Sequence, residues 1–164
     1  MSDAKYSVCF VCSGNICRSP MAEAVFKQRL REAGLADLVE VSSAGTGAWH
    51  VGEPMDERAA EVLAEHDYPN GHVAAHVGPR HLDADLVLAM DDGHRRELRR
   101  LLGDPARLRM FRSFEPAADP DDLDVPDPYY GGDQGFADLL VMIEAAMPGL
   151  VEFVLAEVGP ELAD

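Results

Sequence analysis

The chain has 164 residues, enough for one domain with a full hydrophobic core, and 47% of them are apolar against only 7% aromatic. Fourteen Lys and Arg against 30 Asp and Glu leave a formal charge of -16, which excludes the basic footprint that a nucleic-acid partner requires. No uncharged apolar run of about 18 residues marks a bilayer span and no basic, apolar leader opens the sequence, so a cytoplasmic protein with no membrane partner is expected.

From the N-terminus, Tyr6 to Val11 is an apolar, β-prone run that ends at a Gly-containing turn. Ser19-Pro20 then opens a helical pattern in which Met21, Ala22, Val25, Phe26, Leu30 and Ala33 recur at three- and four-residue spacing, with Gly34 as its stop. Val39 to Ala44 reads as a second strand, and a loop from Gly45 to Pro54 leads to a helix capped by Asp56 and reaching about Glu65. Ala84 to Met90 has the continuous apolar character of a central parallel strand, and Asp91-Asp92 caps a helix through Leu98, Leu101 and Leu102. Arg107 to Phe111 is a weaker fourth strand. Ser113 to Gly132 carries four Pro and a string of acids and predicts irregular structure, after which a helical pattern from Asp133 runs to about Val158, with Pro148 expected to kink or divide it. Strands alternating with helices imply a single α/β domain over residues 1–164, with about four parallel strands in a doubly wound sheet and helices on both faces.

The chemistry concentrates near the start. All three cysteines, Cys9, Cys12 and Cys17, fall within nine positions, an odd count unlike a disulfide framework. No second CxxC or close His pair follows to complete a zinc site, so no metal is expected. In a chain this acidic, an anion needs a local positive focus, and Cys12-Ser13-Gly14-Asn15-Ile16-Cys17-Arg18 supplies one. The loop lies between strand one and helix one, where ligands of open α/β sheets bind. Its successive N–H groups, those of Ser13, Gly14, Asn15, Ile16 and Cys17, add to the positive end of the helix dipole and suit a phosphoryl dianion. The same field favours the thiolate of Cys12, the form that attacks phosphorus. Arg18 offers two parallel N–H donors to phosphoryl oxygens, a geometry that Lys cannot reproduce. Ser19 can donate a hydrogen bond to the Cys12 sulfur. A leaving group that departs as an alkoxide or phenoxide also needs a proton donor. Asp119, Asp121, Asp122, Asp124 and Asp127 are all candidates on composition.

The string Val11-Cys12-Ser13-Gly14-Asn15-Ile16-Cys17-Arg18-Ser19-Pro20 closely resembles the signature of the low-molecular-weight protein tyrosine phosphatase family. Asp127-Pro128-Tyr129-Tyr130 resembles the segment in which that family keeps its general acid, which singles out Asp127 among the acids. The resemblance implies a cofactor-free, two-step hydrolysis of phosphotyrosine proteins. Cys12 forms a cysteinyl-phosphate, Asp127 protonates the leaving oxygen, and water then releases inorganic phosphate. It also implies that Trp49, Tyr129 and Tyr130 wall a ring-sized cleft, and that Asn15, Ser19, Ser43 and His72 hold the loop in shape. Asn tolerates left-handed backbone angles, which suits Asn15 to a strained turn. Cys17 could trap an oxidised Cys12 as a disulfide. A monomer or weak dimer is expected. The nearest rival is an arsenate reductase of the same fold, which would have to borrow an external thiol because no cysteine follows Cys17.

Overall fold

A computed structural model of the protein describes residues 5–128 and 133–162. Four strands form one parallel sheet: β1 (Tyr6–Cys12), β2 (Val39–Gly45), β3 (Leu86–Ala89) and β4 (Leu108–Met110), in the order β2-β1-β3-β4. The helices are α1 (Arg18–Glu32), α2 (Glu57–Glu65), α3 (Pro79–Leu82), α4 (Asp92–Leu101) and α5 (Asp133–Leu162). The one-turn α3, which begins at Gly78-Pro79 and has no periodicity to reveal it, is the element that sequence patterning does not anticipate.

Alternation along β1 explains the two-sided packing. Val8, Phe10 and Cys12 face a large core shared with α1, α2 and α5, while Cys9 and Val11 face a smaller one shared with α4 and completed by Val87, Ala89, Leu98 and Leu102. At the centre of the larger core, Phe10 meets Phe26 and Phe111 edge to face, with ring centroids 5.7 and 5.6 Å apart.

α5 corrects one expectation. It runs unbroken through Pro148. That residue lies on the exposed side, where solvent can meet the carbonyl left without a donor, while Met147 and Leu150 beside it are fully buried and hold the helix to the core. Gly149 permits close packing here, because a Cβ on it would overlap the carbonyl oxygen of Phe114 in the turn Phe111–Phe114. In addition, Gln134–Gly159 is long and apolar enough to cross a membrane by length and composition. Its Phe136, Leu140, Ile143, Met147, Leu150 and Val154 stripe is instead the large core's own wall, packed on α1 and α2.

The chain winds from β1 out to β2, then crosses back to β3 and β4. The carboxyl ends of β1 and β3 therefore border the point where winding reverses, and Cys12 is the last residue of β1.

Candidate functional site

The loop after β1 is shaped from both ends. The carbonyls of Cys12 and Ser13 accept from Thr46 N (2.8 Å) and Gly47 N (3.0 Å), which continue β2, and the Ile16 carbonyl accepts from Asp56 N at 2.9 Å. α1 opens with Arg18-Ser19-Pro20, without an acidic residue in its first turn and without a side-chain cap at Cys17. The positive end of its dipole thus faces the loop uncompensated.

Asn15 is the knot of this loop. It is fully buried with φ at 59°, one of two non-glycine residues in the left-handed region among the described residues. Its Oδ1 accepts from Ala75 N at 2.9 Å, which fixes the amide's orientation. Its Nδ2 must then donate, and it does so to Ser19 Oγ (2.8 Å) and Ser43 Oγ (3.0 Å). His72 Nε2 lies 2.8 Å from the Asn15 carbonyl. The four residues assigned to loop support by resemblance therefore meet in one network. Because Ser19 Oγ already accepts from Asn15, its own proton is available to Cys12 Sγ, 2.9 Å away. The Ser43 hydroxyl donates to Glu23 Oε1 at 2.6 Å, and Glu23 is paired with Lys27 at 2.8 Å. Glu23 lies on α1 one turn beyond the signature and carries no mark in the sequence.

Arg18 is almost completely buried and rigidly held. Nη1 donates to Asp91 Oδ2 (3.0 Å) and to the Val125 carbonyl (2.9 Å), and Nη2 reaches Ser13 Oγ at 3.4 Å. Asp91, legible in the sequence as a helix cap, does cap α4 through His94 N at 2.9 Å, and it orients Arg18 as well. Partial burial alone would raise its carboxyl, but the backbone N–H of His94 and then the Arg18 guanidinium outweigh that and hold it below the ordinary range.

Asp127 arrives from the irregular segment. Val125 N donates to the Met90 carbonyl at 2.7 Å just past β3, which anchors that segment beside the loop. Asp127 Oδ2 then lies 3.7 Å from Arg18 Nη2. A cavity of about 390 Å³ is lined by Cys12, Ser13, Gly14, Ile16, Cys17, Arg18, Trp49, His50 and Asp127. The other acids stay out of this lining, and Asp124 instead accepts from Asp92 N at 2.8 Å. Trp49 is 71% exposed and stands at the mouth. His50, unmarked in the sequence, covers Gly14 so closely that a Cβ there would meet its ring at 2.8 Å. Tyr129 and Tyr130, the other expected walls, lie outside the described residues.

The cysteines differ sharply. Burial pushes the Cys9 thiol up to about 12, and Cys9 faces the opposite core. Cys17, within the loop, is also pushed up, first by burial and then by the charges of Asp56, Cys12 and Asp127. All three are free thiols.

A family model described as low molecular weight phosphotyrosine protein phosphatase matches residues 7–160. Low molecular weight protein-tyrosine phosphatase A of Mycobacterium tuberculosis is 55% identical over 163 residues, covering 98% of this chain and 99% of its own. The low molecular weight protein-tyrosine-phosphatase of Streptomyces coelicolor is 54% identical over 157 residues, covering 93% and 96%. Among solved structures, a protein tyrosine phosphatase from Entamoeba histolytica with Hepes in its active site superposes with a TM-score of 0.85 at 31% identity, covering 94% of this chain and 98% of that one. On sequence and on fold alike, the chain belongs to the low-molecular-weight protein tyrosine phosphatase family.

Proposed function

We propose that the protein hydrolyses phosphotyrosine in proteins, and small aryl phosphates, through a cysteinyl-phosphate on Cys12. The observation that carries this reading is the single cavity in which Cys12, the Arg18 fork and Asp127 meet.

A phosphoryl group seated on the loop amides and Arg18 has its phosphorus in line with Cys12 Sγ. The Ser19 hydroxyl, aligned by Asn15, supports the charge on sulfur. As the S–P bond forms and the P–O bond breaks, Asp127 gives its proton to the leaving oxygen. Water then attacks the phosphocysteine, Asp127 takes up a proton, and inorganic phosphate leaves. Arg18 is already fixed by Asp91 and Val125, so little reorganisation accompanies charge development. The depth of Cys12, 2% exposed, suits a ring-length substrate, and Trp49 and His50 at the rim suit a flat aromatic ester. We assign Cys17 the capture of a sulfenic acid at Cys12 as a disulfide that thiols reverse. Three free thiols also suit a reducing compartment, and we assign the enzyme to the cytoplasm.

The test is hydrolysis of p-nitrophenyl phosphate and of phosphotyrosine peptides by the wild type and two variants. Cys12→Ser is expected to abolish turnover, and Asp127→Ala to lower kcat by about a hundredfold to ten-thousandfold. A wild type without phosphatase activity refutes the function. Near-normal turnover by Cys12→Ser refutes the covalent route while leaving a phosphatase.

A further inference from the structure

His94 lies in the first turn of α4, only 5% exposed, with Nε2 2.8 Å from Ser13 Oγ in the phosphate loop. Its Nδ1 is 3.1 Å from Asp91 Oδ1 without making a hydrogen bond to it, while that oxygen accepts the backbone N–H of His94. Among the described residues, His94 Nδ1 is one of two buried side-chain polar atoms without a hydrogen-bond partner. Burial first, then the Arg18 charge, outweigh the attraction of Asp91, Asp127 and Asp124 and pull the imidazole down to about 4, so the ring is neutral at neutral pH.

A neutral ring carries one proton, and the surroundings choose where it sits. With the proton on Nε2, an unpaired Nδ1 lone pair would lie 3.1 Å from the Asp91 carboxylate and be repelled by it. With the proton on Nδ1, its partial positive charge lies beside that carboxylate, which is favourable even without a hydrogen bond, and Nε2 accepts from the Ser13 hydroxyl. The second partner of Ser13 agrees: Arg18 Nη2 approaches Ser13 Oγ at 3.4 Å as a donor and meets a lone pair.

We propose that His94 is a positioning residue of the phosphate loop: as its Nδ1–H tautomer it accepts the Ser13 hydroxyl proton and so fixes Ser13, Arg18 and Asp91 in one arrangement. α4 is thereby tied across the mouth of the sheet to the second residue of the loop. Asp91 orients Arg18 through one oxygen and caps the helix that carries His94 through the other. The groups facing the ring are Ser13 from the loop, Arg18 from α1, Asp91 at the head of α4, and Asp124 and Asp127 from the segment before α5.

This role rests on the reading of the loop as a phosphate site, and two measurements on the full chain test it. In 15N-edited spectra of the wild type, His94 Nδ1 should show the shift of a protonated nitrogen and Nε2 that of a bare one. The reverse overturns the proposal and needs no variant. In titrations with inorganic phosphate, His94→Leu and Ser13→Ala should each weaken binding about tenfold, and the double variant no more than about twofold beyond the worse single. His94→Asn, which keeps an acceptor, should recover most of the loss. If His94→Leu lowers Tm but leaves phosphate affinity intact, or if the two losses multiply, the positioning role is wrong. If the wild type binds no phosphate, the loop is no phosphate site and the role falls with it, whereas normal wild-type binding with unaffected variants refutes His94 alone.

Discussion

A single buried amide holds the reactive loop in its conformation. Asn15 at φ 59° joins Ser19, Ser43, Ala75 and His72, and through Ser19 it sets the direction of the hydrogen bond to Cys12. Asn15→Ala should lower stability by about 3 kcal/mol in urea unfolding, because it strands buried partners and leaves Ala in the left-handed region. Asn15→Gly removes the backbone strain but not the stranded partners, and should recover about 1 kcal/mol of that without restoring activity. The loop was legible because its chemistry is contiguous: Cys12, Arg18 and Ser19 sit within eight positions and share one turn. Residues that reach it from elsewhere were legible only where a motif marked them. The Pro-Tyr-Tyr neighbours mark Asp127, whereas Asp91-Asp92 marks a helix cap and not the grip of Asp91 on Arg18. His94, His50 and Glu23 carry no mark in the sequence, because contacts between residues distant in the chain, such as His94 and Ser13, 81 positions apart, leave no local signal.

At the scale of elements, hydrophobic periodicity marks the four strands and the longer α-helices among the described residues, since burial of one stripe is what those elements share. It misjudged α5 at Pro148, because tolerance of a helical proline depends on which side faces solvent. Gly149, next to it, gives a clean test of that packing. Ala at an open helical site gains about 0.5 to 1 kcal/mol over Gly. Here the added methyl would run into the Phe114 carbonyl, and the turn Phe111–Phe114 or α5 must shift. Gly149→Ala should therefore be destabilising by about 1 to 3 kcal/mol in thermal or urea unfolding. A stabilising result would mean that α5 stands further from that turn.

Over the whole molecule, the -16 charge leaves the site as a local exception to an acidic surface. Acid stability should reflect the buried imidazoles. His94 ionises near 6.5 when unfolded but only at about 4 when folded, so between these values the unfolded chain binds the extra proton. Stability is fully present above pH 6.5 and falls as pH drops toward 4, on the order of 3 kcal/mol from this one ring. His81, lowered chiefly by burial, acts in the same direction. Asp91, whose carboxyl is lowered from 3.8, adds its own loss only in stronger acid. Easing of charge repulsion makes the fall shallower without reversing it. Urea midpoints across pH 7 to 4 should decline in the wild type and decline less in His94→Asn.

The central claim is that phosphate passes through the sulfur of Cys12, and it can be observed directly. When the wild type and Asp127→Ala are mixed with p-nitrophenyl phosphate, quenched rapidly with denaturant at alkaline pH and digested without acid, mass spectrometry should find one phosphoryl group on the Cys12 peptide. It should persist longer in Asp127→Ala, which lacks the base for the water step. Turnover with no phosphoryl group on Cys12 at any quench time, or with one on another residue, would contradict the account.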